Sequence, residues 1–185
     1  MFELAVTVMA VVLIFLFENY WFTVGIFVIL MVLIGPGLYS MFFGAPFVAS
    51  SPKRIDAMMK LAKFKKGDKV VDLGCGDGRL LDRIYKEGVK NVIGYEFSLL
   101  TFWYALWRRG KYGGKGKMYY GNFWKKDLSK FDVLVCFLLD KSMRRFEKDV
   151  WSTLKKGTKV VSNEFVMAEE EPDKELNGVY LYIKK

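Results

Sequence analysis

Residues Asp72-Leu73-Gly74-Cys75-Gly76-Asp77-Gly78-Arg79 carry the first chemical signal in the chain: an acid, three alternating glycines, then a basic residue. Glycine lets a backbone turn sharply and pass within contact of a ligand, as it does in the strand-to-helix loops of nucleotide-binding α/β sheets. A nucleoside cofactor is implied. The dinucleotide spacing G-x-G-x-x-G/A fails at its last position, which is Arg79. The spacing D-x-G-x-G-x-G points instead to S-adenosylmethionine. Glu96 lies 24 residues beyond Asp72, at the end of the next apolar run, where one carboxylate can accept both ribose hydroxyls. Gly121-Asn122-Phe123 follows a third apolar run, and there an amide and a ring can meet adenine. The candidate cofactor residues are therefore Asp72, Gly74, Cys75, Gly76, Glu96, Phe97, Asn122 and Phe123.

Each residue type also has a structural reading. Asp77 suits a helix N-terminus, where the dipole favours negative charge. Cys75 reads as a small buried filler rather than a nucleophile, and Phe97 suits either the core or the adenine face. The 185 residues include no histidine. An imidazole base, a His-ligated metal and a Ser-His-Asp triad are thereby excluded. The two cysteines, Cys75 and Cys136, lie in separate apolar runs and offer neither a disulfide framework nor a metal cluster.

These residues need a scaffold, and the pattern around them supplies one. Ser50-Ser51-Pro52 predicts a helix N-cap followed by Pro in the first turn, with a helix to Phe64 whose apolar positions are Ile55, Met58, Met59 and Ala62. Strands are predicted at Val70–Leu73, Asn91–Tyr95, Lys117–Tyr120, Phe131–Leu138 and Lys159–Asn163. Helices are predicted at Arg79–Glu87, Leu99–Arg109 and Lys141–Leu154. This alternation implies an α/β fold with a Rossmann-like, doubly wound, mostly parallel sheet. A last strand, Val179–Lys184, follows the acidic turn Glu169–Asp173 without a helix-length crossover, and is expected antiparallel at the edge. On the third helix, the spacing of Trp103 and Trp107 suggests core packing, while Phe102 and Tyr104 widen the aromatic surface enough to suggest contact with a bilayer.

The first 50 residues differ in kind. All 29 Lys and Arg and 18 of the 20 acids lie beyond them, leaving −2 before residue 51 and +11 after it. From Leu4 to Ile34 the chain is apolar apart from Thr7, Glu18-Asn19 with flanking Tyr20 and Trp21, and Thr23. A single helix of that length would reach roughly 46 Å, against a ~30 Å hydrocarbon core. The expectation is a membrane anchor over residues 1–45, as a helical hairpin turning at Glu18-Asn19 or as one span at about 20–43 with an interfacial segment before it. A secretory signal fits poorly, because no Lys or Arg precedes the apolar stretch. Lys53, Arg54, Lys60, Lys63, Lys65 and Lys66 follow it closely, which places a catalytic domain of residues 46–185 on the cytoplasmic side of a membrane. The same charges suit an anionic bilayer.

The stretch Gly44-Ala45-Pro46-Phe47-Val48, then VDLGCGDGR, GYEFSLLTFWYALWR and YYGNFW, resembles the seven-strand (class I) lysine methyltransferases that modify the mitochondrial ATP-synthase c-subunit and adenine nucleotide translocase, and their prokaryotic relatives. The resemblance implies methyl transfer from S-adenosylmethionine to a lysine of a membrane-protein substrate. It implies a substrate gate at Pro46, Phe47, Ser50 and Ser51, facing the loop after the fourth strand. Asp140, the carboxylate of that loop, is the candidate catalytic residue toward the incoming amine, or else a cap for the following helix. The same loop reads Phe137-Leu138-Leu139-Asp140 and lacks the polar-Pro-Pro-aromatic signature of nucleic-acid amino-methyltransferases, so no nucleic-acid substrate is expected. A lipid-headgroup or small-molecule N-methyltransferase, and a cofactor-binding membrane scaffold, are the rival readings.

Overall fold

The structure is a computed structural model that describes residues 20–43 and 49–185, together with Met9, Val11, Val12 and Phe15. The chain divides into two compact units, Met1–Pro36 and Gly37–Lys185.

Helix α1 (Tyr20–Phe43) is uncharged and continues through Gly35-Pro36-Gly37 without a break. Trp21, Phe22, Phe27 and Ile29 are among its exposed apolar side chains. Among the described residues no helix is long and apolar enough to cross a membrane. The expected turn at Glu18-Asn19 lies outside the described residues, as do Pro46 and Phe47 of the expected gate. Of the expected first arm, Met9, Val11, Val12 and Phe15 are helical.

The second unit is built on a seven-stranded sheet. Helix α2 (Pro52–Ala62) leads into β1 (Val70–Leu73), α3 (Arg79–Lys86), β2 (Val92–Glu96), α4 (Leu99–Tyr112) and β3 (Lys117–Tyr120). There follow β4 (Val133–Cys136), α5 (Asp140–Asp149), β5 (Lys159–Asn163), β6 (Lys174–Leu176) and β7 (Val179–Ile183). The strand order is β3-β2-β1-β4-β5-β7-β6, parallel except for the pairs made by β7. The chain first builds outward from β1 to β3 and then restarts on the other side of β1 with β4. Ligands bind outside the carboxyl ends of the strands at such a reversal.

Alternation along the strands separates two cores. Val70, Val135 and Val161 face α2 and α3, where Ala57, Met58, Leu61, Leu81 and Ile84 are buried. Val71, Leu73, Leu134 and Val160 face Met143 and Phe146 of α5. Helix α2 starts as the sequence predicts, with Ser51 Oγ accepting the Arg54 amide and Pro52 in the first turn. It ends two residues before Phe64, because Lys63 takes a left-handed conformation (φ 46°) and its amide returns to the Met59 carbonyl.

Two expectations are corrected here. Strand β7 is not at the edge, because a short β6 pairs with its outer side through Leu176↔Val179. The joining residues Asn177 and Gly178 have φ of 54° and 71°, the left-handed pair of a tight hairpin turn. Helix α4 runs on to Tyr112, where Gly113 at φ 65° caps it, and it buries only Ala105 and Arg109. Trp103 and Trp107 are 60% and 62% exposed, so they do not pack in the core.

Candidate active site

The glycine loop leaves β1 at the switch point, and its backbone is fixed by β2. Gly74 and Cys75 both donate to the Tyr95 carbonyl, at 2.9 and 3.0 Å. Gly74, Gly76 and Gly78 have φ of 84°, 57° and 76°, a region L side chains rarely adopt. Around Gly74 the space is open, and a side chain there would project into it without meeting an atom within 4 Å. Gly78 is needed for packing as well, since a Cβ would lie 2.8 Å from Cδ of Arg109. Cys75 is buried against Gly94, where an added Cβ would meet its Sγ at 2.6 Å. Burial, and then the charges of Asp72 and Glu96, push its thiol well above the usual range. That suits a filler and not a nucleophile.

Asp72 and Glu96 bracket the loop. The parallel register sets Asp72 beside Gly94, two residues before Glu96, and both acids are buried. Burial first, then the charges of Glu96 and Asp77, push the Asp72 carboxyl up to about 7. The Glu96 carboxyl is raised by burial, although the amides of Ser98, Gly76 and Phe97 hold it down in part. Glu96 Oε2 accepts the Gly76 amide at 3.0 Å and Oε1 accepts the Ser98 amide at 2.7 Å. An ionised carboxylate has about four acceptor positions. Glu96 therefore orders the loop and still keeps capacity for two ribose hydroxyls.

Asp77 takes the structural reading. It is buried at the start of α3, its oxygens bound by the Arg79 amide at 3.1 Å and by Arg79 Nη2 at 2.7 Å, with Arg108 Nε 3.5 Å away. Burial would raise its carboxyl, but the bonds to Arg79 and the charges of Arg79 and Arg108 outweigh that and hold it below the usual range. Asp82 on α3 binds both Arg108 and Arg109 of α4, at 3.0 and 3.1 Å. Arg109 also donates to the carbonyls of Lys115 and Gly116. Arg108 and Arg109 fix the far side of the loop, and sequence spacing carries no signal for them.

The side of the loop beyond β2 is aromatic. Phe97 stacks on Tyr120 with centroids 6.4 Å apart and planes at 6°. Phe123 contacts Trp124 at 4.7 Å, and the Asn122 side-chain oxygen accepts the Trp124 amide at 2.9 Å, capping a short 3-10 turn. Gly121 has open space around it, at φ 150°.

On the opposite side of β1, Ser50 and Asn163 meet. Asn163, the last residue of β5, donates from Nδ2 to Ser50 Oγ at 3.1 Å. Its Oδ1 is, among the described residues, the buried side-chain polar atom without a partner. Cys136 pairs in register with both Leu73 and Ser162, so Asn163 stands level with Gly74 across the strand ends. The sequence reading missed Asn163, because nothing in a strand-end Asn announces its long-range partner. Ser51 serves as the helix cap and Ser50 is the described gate residue that reaches the sheet. Asp140 is exposed in the first turn of α5, whose N-cap is Leu139 with no side-chain cap bond, so Asp140 is not the cap.

A seven-stranded sheet of this order, with an acid-preceded glycine loop at its reversal and a second acid closing β2, defines a Rossmann-like methyltransferase dependent on S-adenosylmethionine. The ANTKMT methyltransferase domain family model matches residues 72–174, and the chain belongs to that family of protein-lysine N-methyltransferases. It is 34% identical to a protein-lysine N-methyltransferase of Saccharolobus islandicus over 75% of this chain and 92% of the relative. It is 29% identical to the mouse lysine N-methyltransferase of the ATP synthase c-subunit, over 69% of this chain and 52% of that protein. The chain thus spans about half the length of the mouse relative. Among solved structures, an RNA methyltransferase from Salinibacter ruber in complex with S-adenosyl-L-homocysteine superposes with a TM-score of 0.68 at 26% identity. That alignment covers 74% of this chain and 94% of the other.

Proposed function

We propose that this chain methylates a lysine ε-amine of a membrane protein, with residues 1–45 holding the catalytic unit, 46–185, at the bilayer and on its cytoplasmic side. The observation that carries the cofactor half of this reading is the pair of buried acids, Asp72 and Glu96, on either side of a glycine loop whose first glycine faces open space. The relatives named for the ATP synthase c-subunit and the adenine nucleotide translocase support the acceptor half. An uncharged, exposed, apolar helix before the catalytic unit supports the anchor.

When bound, S-adenosylmethionine supplies a methyl on a positively charged sulfur. The residues present fit it. Glu96 would hold the ribose hydroxyls, and the glycine loop would lie along the amino-acid portion. Asp72 would face its ammonium, while Asn122, Phe123 and Phe97 would line the adenine. A lysine amine must be neutral to attack, and it begins near pKa ~10.4. Desolvation beneath the gate and the positive charge of the sulfonium both favour the neutral form. This chain needs no histidine for that step, and alignment of the two reactants accounts for much of the rate. On the acceptor side, Ser50, the unpaired Asn163 oxygen and Asp140 are the polar groups of this chain that can orient an amine.

The rival acceptor is a lipid headgroup. Incubating the full chain with methyl-labelled S-adenosylmethionine and membranes, then separating protein from lipid, distinguishes the two. Label in protein is expected; label confined to lipid would overturn the lysine assignment.

A further inference from the structure

Helix α4 carries an outward face that, among the described residues, no element of the catalytic unit covers. Leu100, Trp103, Tyr104 and Trp107 follow the i, i+3, i+4, i+7 spacing of one helical stripe, and each is between 45% and 62% exposed. Isolated exposed apolar residues are ordinary, but a contiguous stripe of this size marks a contact surface. Tyr119 and Tyr120 of the edge strand β3 are exposed as well.

The charge around the stripe says what covers it. From Phe97 to Lys126 there are seven Lys and Arg and ten aromatic residues, and no Asp or Glu. Lys111 extends the stripe by one turn, with its ammonium 5.6 Å from the Trp107 ring and 5.4 Å from that of Tyr112. Tyr112 is also one wall of a cleft between α3 and α4, lined by Arg79, Arg83, Lys86, Arg108 and Lys115 with Asp82; the arginines are ion-paired with Asp77, Asp82, Asp56 and Glu87, and Lys86 and Lys115 are the cleft's cations beyond those pairs. Tryptophan and tyrosine flanked by cations is the composition that sits at the headgroup level of a bilayer, and cations there are attracted to anionic lipid. A second copy of the same face would bring cation against cation. Nucleic acid is disfavoured by shape, since bases stack in a cationic groove, whereas these rings stand on the convex side of a helix.

We propose that the outer face of α4, with the cationic cleft beside it, docks on an anionic phospholipid bilayer. The contact belongs to the catalytic unit and is separate from α1. It holds whether the methyl acceptor proves to be protein or lipid, so its failure and that of the lysine reading are distinguishable.

The test places a nitroxide on the full chain at Tyr104→Cys, and in a second variant at Trp107→Cys. Cys75 and Cys136 are buried and will not compete for the label. The chain is reconstituted in vesicles of phosphatidylcholine alone or of phosphatidylcholine with phosphatidylserine. With the anionic lipid, accessibility at both positions should shift from a water-soluble nickel complex toward oxygen. A control label at the exposed Lys156→Cys should stay in water. Lys111→Glu combined with Lys115→Glu should abolish the shift. Equal water exposure in both vesicle types would overturn the proposal, and so would burial of the labels by added RNA or by self-association without vesicles.

Discussion

Glu96 accepts the amides of Gly76 and Ser98 within the chain, and in the proposed placement of the cofactor it accepts the ribose hydroxyls as well. Glu96→Ala removes both sets of bonds, and a loss of S-adenosylmethionine affinity of about a hundredfold or more is expected in calorimetry, since charged acceptors contribute ~1.5–3 kcal/mol each. Glu96→Gln keeps one acceptor oxygen and should lose less. Asp72 predicts a pH dependence. Its folded carboxyl, near 7, lies above the ordinary 3.8. Between those values the folded state keeps a proton that the unfolded chain has released, so stability falls as pH rises through this window and levels above about 7. The denaturant midpoint of the cofactor-free protein should therefore be lower at pH 8 than at pH 6, and Asp72→Asn should reduce the difference. Binding of the cationic cofactor near pH 7 should release protons, measurable as a buffer-dependent binding heat; no buffer dependence would remove Asp72 from the ammonium contact. Asp72 and Glu96 were legible in the sequence because a loop motif fixes their spacing. Asn163 and the Arg108 and Arg109 partners of Asp82 were not, because those bonds join segments that only the fold brings together. Asp140→Asn tests the amine contact: a large fall in turnover at unchanged stability is expected, and near-normal turnover would leave Asp140 with its helix terminus alone.

The parallel elements were readable because strands, helices and their glycine breaks alternate at crossover length. What escaped was local. The β6–β7 hairpin rests on Asn177-Gly178, the dipeptide that favours its turn, but β6 has only three residues, Lys174–Leu176, too few to show an alternating pattern. Gly178 at φ 71° makes this a direct test, since Gly178→Val should cost about 1–2 kcal/mol in unfolding free energy. Cofactor affinity should stay unchanged, as the hairpin lies at the far edge of the sheet from the glycine loop. The outward aromatics of α4 escaped for a different reason. Helical spacing shows that Trp103 and Trp107 share a face, but it cannot show which face the sheet will take, and here the sheet takes Ala105 and Arg109.

At the scale of the whole molecule, the charge contrast between the first 50 residues and the rest gives the account its spatial logic. A partner confined to the same bilayer meets a tethered enzyme at a raised effective concentration. A chain beginning at Phe47 should keep its affinity for S-adenosylmethionine but methylate membranes many-fold more slowly than the full chain. Equal rates would remove the anchoring role of the N-terminal residues.

The central claim is that the acceptor is a lysine. Peptide mass spectrometry of membranes incubated with the full chain and methyl-labelled S-adenosylmethionine reads it most directly. The account predicts labelled methyl on lysine side chains of a membrane protein, absent when Glu96→Ala replaces the wild-type chain. Label on any other residue type, or on lipid with none on lysine, would contradict it.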